Sequence, residues 1–145
     1  MSAPVRAMAA HDLPRVAELS LQLGYPVALA ALHRRFERLA PSASDALFVA
    51  GEPVGGWIHL ELRDSLESGQ SVEITGLVVD AARRREGLGR ALVARAEAWA
   101  KERGVPRLRV RSNVTRTESH HFYPALGFAR AKTQHVYEKT LPPPH

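Results

Sequence analysis

The chain has 145 residues and no cysteine, with 45% hydrophobic and 24% charged residues and a formal net charge of +5. That length suits one domain burying about 68–70% of its unfolded surface, and the composition argues against disorder. Disulfides, thiolate metal sites and a cysteine nucleophile are excluded. No apolar run approaches the roughly 20 residues of a membrane span, and the N-terminus lacks the apolar core of a signal peptide. The expectation is a soluble cytoplasmic protein.

In chain order, Pro4–Ala9 reads as a short strand. Asp12 is placed to cap a helix over Leu13–Leu23, with Pro14 in its first turn and Leu13, Val16, Leu19 and Leu23 at helical spacing. Gly24-Tyr25-Pro26 stops it, and a second helix covers Val27–Leu39. Leu47–Ala50 and Val54–Leu62 form a hairpin around Gly51-Glu52-Pro53, and Gly55-Gly56 points to a bulge or a close backbone approach. Ile58, Leu60 and Leu62 share the core parity, leaving Trp57, His59 and Glu61 on the other face. Arg63–Gln70 is polar and reads as a mobile hairpin loop before the next strand, Val72–Val79.

A helix from about Gly87 to Arg103 follows, with Gly104 at its C-terminal cap. The alternation of Leu108 and Val110 with arginines makes Leu108–Ser112 a strand. Thr117–Leu126 reads as a helix ended by Gly127, and Phe128–Ala131 and His135–Leu141 as strands. Residues 142–145 form a frayed tail, so the domain spans 1–141.

The chemistry concentrates in the turn between the strand ending at Val79 and the helix beginning near Gly87. Arg84-Arg85-Glu86-Gly87-Leu88-Gly89 fits Arg/Gln-x-x-Gly-x-Gly. Glycines let a backbone approach a ligand closely, and a helix's first turn offers unpaired N–H groups and the positive dipole end. Together they seat a phosphate or pyrophosphate. A dinucleotide fold would need a third glycine and an acidic residue about 20 positions later; neither is present. A Walker loop is excluded by the missing Gly-Lys-Ser/Thr. Residues 83–116 also hold 11 Lys or Arg against 3 acidic residues, while the rest holds 9 against 12. That concentration favours a polyanionic ligand. Aromatics do not interleave with Arg107, Arg109 and Arg111, which argues against an RNA-binding sheet.

The strand–loop–helix over residues 72–128 resembles the GCN5-related N-acetyltransferase (GNAT) superfamily. The resemblance implies an α/β fold of the α+β type. Its mixed sheet is antiparallel in the first half, with Val72–Val79 and Leu108–Ser112 parallel and splayed around the pantetheine arm of acetyl-CoA. It further implies that Leu77, Val78 and Val79 offer backbone groups to that arm. Arg84, Arg85, Glu86, Gly87, Leu88, Gly89 and Arg90 would surround the pyrophosphate. Phe122-Tyr123-Pro124-Ala125-Leu126-Gly127-Phe128 looks like the superfamily's Phe/Leu-Tyr-x-x-x-Gly-Phe signature, which makes Tyr123 the phenol facing the coenzyme sulfur. Asn113 matches the asparagine that bonds the pantetheine, although it stands ten residues before Tyr123 where about seven is commoner.

Acetyl transfer to an amine needs a proton acceptor, because an alkylammonium of pKa about 10 lacks a lone pair near neutrality. Glu73 is the only ionisable side chain in Val72–Val79 and lies 14 residues before Gly87, the spacing of the catalytic glutamate in histone-acetylating members. Glu61 and His59 are reserve candidates. The expected activity is N-acetyl transfer from acetyl-CoA to a primary amine, small molecule rather than protein, in a direct ternary complex. Neither a metal nor a nucleic-acid or membrane partner is expected, and a homodimer is. A longer acyl donor, or coenzyme-A sensing without turnover, are the alternatives.

Overall fold

The computed structural model describes residues 3–111 and 122–144. They fall into two compact units, divided between Arg111 and Ser112.

The first unit is a five-stranded sheet in sequence order, β1 (Val5–Ala7), β2 (Asp45–Ala50), β3 (Gly56–Ser65), β4 (Gly69–Val79) and β5 (Leu108–Val110). The first four strands pair antiparallel and β5 runs parallel to β4, as expected of the mixed sheet. Helices α1 (Leu13–Gln22) and α2 (Leu29–Leu39) precede β2, and α3 (Leu88–Glu102) joins β4 to β5. No helix among the described residues is long and apolar enough to cross a membrane.

Alternation decides the two faces. Ile58 and Leu60 are fully buried, with Phe48 opposite Ile58 and Val72 and Ile74 farther across the sheet. The apolar stripe of α3 (Leu92, Val93, Ala96, Trp99) supplies the other half of this layer, and Arg95 lies over the Phe48 ring at 4.6 Å. On the opposite face Val49 and Val78 flank Trp57 in register, and Leu19 of α1 packs on them.

Val78 and Glu73 have opposite parity in sequence yet share this second face. The pairing changes from His59↔Gly76 to Leu60↔Ile74, so Thr75 is an extra residue in β4. Such a bulge reverses the side-chain alternation beyond it. Of the two expectations at Gly55-Gly56, a bulge or a close backbone approach, the second holds, and the bulge lies at Thr75, opposite His59 and Leu60. It is followed by Gly76, where a Cβ would lie 2.8 Å from the Trp57 ring.

Two expectations about this unit are corrected. Residues 63–70 are no loose loop: β3 and β4 pair as far as Ser65↔Gly69, and only a tight turn at 66–68 joins them. Asp12 precedes α1 but makes no side-chain cap bond to it. Its carboxylate instead takes both prongs of Arg6 at 2.7 Å and the Ala9 N–H at 2.8 Å, charge-assisted bonds that outmatch a single helix N–H.

In the second unit, residues 122–125 are helical and Gly127 ends the turn at φ 92°, as expected. The helix expected from Thr117 begins outside the described residues. Neither 128–131 nor 135–141 is a strand; beyond Phe128 both run exposed, without a ladder partner among the described residues.

Candidate active site

The turn leaving β4 is built by neighbours that hold it from beneath. Asp80 follows the last residue of β4, and its N–H bonds Gly55 O at 2.7 Å. Its carboxylate accepts from Ala82 N (3.0 Å), Arg15 Nη2 (2.6 Å) and Gln22 Nε2 (3.3 Å). Gln22 Oε1 in turn accepts from Ala81 N at 3.1 Å. A helical turn over Ala81–Glu86 follows, closed by Arg83 reaching forward to Glu86 at 2.9 Å and back to the carbonyl of Pro53.

Arg83 is thus committed to scaffolding. Its guanidinium and Leu88 fill the space above Gly55, where a Cβ would stand 2.6 Å from Arg83 Nη1 and 2.7 Å from Leu88 Cδ1. Gly55 is present for this close approach. Gly55→Ala should cost about 1–3 kcal/mol through overpacking, read as a shift in the urea midpoint at unchanged slope.

The Ala82 N–H, then Arg15, hold the Asp80 carboxyl below its usual range. The folded protein therefore binds fewer protons here than the unfolded chain. This contribution is complete above the unfolded value of about 3.9 and is lost as pH falls toward the depressed folded value. Asp80→Asn should lower stability at pH 7 and flatten the acid limb of a stability–pH curve; an unchanged acid limb would count against the anchor.

Gly87 closes the turn at φ 74°, ψ 20° and is the N-terminal flank of α3. The first intrahelical bond runs from Ala91 N to Gly87 O at 3.0 Å, so the N–H groups of Leu88, Gly89 and Arg90 have no helical acceptor. A glycine also brings no capping side chain, and nothing lies within 4 Å of where its Cβ would be. Among the described residues no side chain caps the N-terminus of α3; Leu88 and Gly89 are buried there, and Arg84, Arg85 and Arg90 are exposed around it.

β4 supplies a second row of backbone groups. The bond from Asp80 N to Gly55 O sets the phase of the β3–β4 ladder. Alternation makes Trp57/Val78 and His59/Gly76 hydrogen-bonded pairs, and Ile58/Leu77 and Gly56/Val79 the others. The N–H and C=O groups of Leu77 and Val79 consequently point away from β3. On that side the described ladder to β5 comprises only Val72↔Leu108, Glu73↔Arg109 and Ile74↔Val110. Val78 plays a different part: its side chain is buried in the α1-side cluster.

Glu73 is buried in a row of charge that crosses the sheet on the α1-side face, Asp45↔Glu61↔Glu73↔Arg109. Both its oxygens are held, Oε2 by Arg63 Nη1 at 3.2 Å and Oε1 by Arg111 Nε at 3.3 Å. Arg63 Nε also bonds Glu61 Oε1 at 3.0 Å. His59, a reserve candidate for the base, is engaged with Asp45 Oδ1 at 2.8 Å.

Sequence reasoning missed Arg63 and Arg111. Arg63 continues the parity of Glu61, a signal that appears only once residues 63–65 are read as strand. Tyr123, in the second unit, is half-buried between Phe122 and Phe128, edge-on to both at 5.0 and 5.6 Å. Asn113 lies outside the described residues.

A helix N-terminus without a capping side chain, reached directly from a strand edge whose backbone groups are unpaired among the described residues, can hold a phosphorylated, amide-bearing chain. The family description "Acetyltransferase (GNAT) family" matches residues 13–128. The chain belongs to this family. Within the GNAT family it is 29% identical over 97 residues to an aminoglycoside N(6')-acetyltransferase type 1 of Serratia marcescens, a match covering 67% of this chain and 65% of that protein. AAC(6')-Iy, solved with the bisubstrate analog CoA-S-monomethyl-acetylneamine, superposes with a TM-score of 0.85 at 21% identity, over 97% of this chain and 100% of that one. A transcriptional regulator from Bacillus halodurans C-125 gives 0.84 at 23% identity, over 95% and 99%. At these identities the structural likeness speaks to the fold, here the GNAT fold.

Proposed function

We propose that this GNAT protein transfers acetyl from acetyl-CoA to a primary amine of a small molecule. The observation that carries the reading is the continuity of two sets of backbone donors. The edge of Leu77 and Val79 leads through one anchored turn to the uncapped amides of Leu88, Gly89 and Arg90. A pyrophosphate at the helix start and pantetheine amides along the strand edge fit donors so ordered, and Gly87 leaves room for approach. The uncapped α3 terminus and the exposed arginines suit an anion, so the residues present fit coenzyme A.

Acetyl-CoA supplies the acetyl group as a thioester; the chain's residues manage protons and charge. Glu73 accepts the ammonium proton of the acceptor, freeing the lone pair that attacks the carbonyl. Backbone N–H groups near the β4 bulge stabilise the oxyanion. As the C–S bond breaks, the nitrogen gives up its second proton and the departing thiolate takes one up, the step for which the 122–128 signature nominates the Tyr123 phenol. With no cysteine in the chain, direct attack in a ternary complex is the simplest course.

The test is a panel of aminoglycosides, polyamines, amino acids and peptides read by free-thiol release, with mass spectrometry of the product. One acetyl group added to a small amine is expected. Saturable acetyl-CoA binding without turnover of any amine would replace this reading with a coenzyme-A sensor.

The reading includes a homodimer. Val136, Tyr137 and Leu141 are exposed apolar side chains in the stretch after Phe128, and a second copy would cover them. Sedimentation should show a mass near twice 15.9 kDa; a monomer throughout a wide concentration range would refute it.

A further inference from the structure

Arg63 stands between two carboxylates that face each other across β3 and β4. Its Nε bonds Glu61 at 3.0 Å and its Nη1 meets Glu73 at 3.2 Å. The two contacts are unequal in setting. Glu73 is buried, with its side chain 10% exposed, whereas the Glu61 side chain is 35% and that of Arg63 45% exposed. The guanidinium is therefore a long, half-solvated side chain reaching inward to a buried anion from an outer partner that holds it independently. Arg111, at 63% exposure, takes the other Glu73 oxygen from the β5 side. Of the remaining charges in the row, Asp45 lies on β2 and is engaged by His59 of β3, and Arg109 lies on β5.

We propose that Arg63 is an internal stand-in for the acceptor's ammonium group, and so a specificity-determining residue. An arriving primary ammonium replaces its Nη1 at Glu73 Oε2, while Arg63 stays on Glu61. The proposal rests on Glu73 being the acceptor-side carboxylate. The exchange is one cation for another at a single carboxylate, so no bond is made or broken and no charge is left uncompensated. Two consequences follow. Acceptor affinity is set by competition, which favours amines dense in positive charge over a lone amine. Glu61 governs that competition by giving the displaced guanidinium a partner.

The test uses neamine, a small polyamine of the aminoglycoside class, titrated calorimetrically into the full chain without acetyl-CoA. Arg63→Met removes the competitor and should tighten neamine about three- to fivefold, the scale of a half-exposed ion pair. The gain should shrink at high salt. Glu61→Gln removes the outer partner and should weaken neamine by a similar factor; the double variant should match Arg63→Met. Arg63→Lys, which keeps the charge, should stay near wild type. In a Glu73→Gln background the Arg63→Met gain should vanish.

Neamine binding by Arg63→Met that is equal to or weaker than wild type, including no binding by either, overturns the proposal. A gain that persists without the Glu73 carboxylate does so too. If Arg63→Met melts early, Glu61→Gln decides alone: unchanged or tighter binding overturns, weaker binding supports. The base assignment is judged separately, by turnover of Glu73→Gln.

Discussion

Gly87→Val should abolish acetyl-CoA binding while leaving most of the fold in place. Gly87 sits at φ 74°, a region that costs an L-residue about 1–2 kcal/mol and a β-branched one more. Since nothing lies within 4 Å of the Cβ position, the variant gains no clash with the protein itself. The added isopropyl group instead fills the approach to the Leu88, Gly89 and Arg90 amides, and its strain reorients them. The expected result is a loss of at least about 100-fold in acetyl-CoA affinity, roughly 2.7 kcal/mol and the upper end of what a lost charge-assisted hydrogen bond costs, with a modestly lowered Tm. Wild-type affinity in Gly87→Val would remove the pyrophosphate seat from this turn.

Glu73→Gln should separate chemistry from binding. The amide keeps the shape of the side chain and cannot accept the ammonium proton. Turnover should fall by about 10²–10⁴-fold at pH 7 with acetyl-CoA affinity nearly unchanged. The deficit should narrow as pH rises toward the amine's own pKa of about 10, where free base exists without help. Tyr123→Phe should lower turnover without that recovery, because it acts on the leaving thiolate. Loss of one carboxylate from the Arg63–Glu73–Arg111 cluster leaves two half-exposed guanidiniums in water, so the fold should tolerate it. A Glu73→Gln protein turning over at the wild-type rate would pass the base role to Glu61, His59 or water.

The parts of this account legible in the sequence are those where a pattern and a constraint coincide. The Gly-x-Gly turn lies between a β-branched run and an amphipathic helix, so its position and chemistry could be read together. The sheet order and the parallel pairing of the strands at 72 and 108 came with the resemblance to the GNAT superfamily, which the same succession of elements supports.

What escaped reading was set by the backbone or by long-range pairing. The outer β3–β4 hairpin has polar side chains on both faces, so 63–70 shows no apolar alternation; its ladder is held by main-chain bonds. The bulge at Thr75 inserts a residue with good strand propensity, and only the reversed face of Val78 betrays it. Arg83 looked like one more arginine of a basic turn, yet Pro53 and Glu86 occupy it. The ring of arginines around Glu73 draws on β3 and on residue 111, distant in sequence, and needs the register Glu61↔Glu73 before it can be seen. In the second unit the expected strands at 128–131 and 135–141 had the right alternation, but alternation names no partner.

The central claim is that the amides opening α3 and the outward edge of β4 together receive acetyl-CoA. A titration of the nitrogen-15-labelled protein with acetyl-CoA, followed by amide chemical shifts, tests it most directly. The account predicts saturable shifts for Leu88, Gly89 and Arg90 and, in the same titration, for Leu77 and Val79. Binding that leaves these five amides unmoved while shifting others would contradict it.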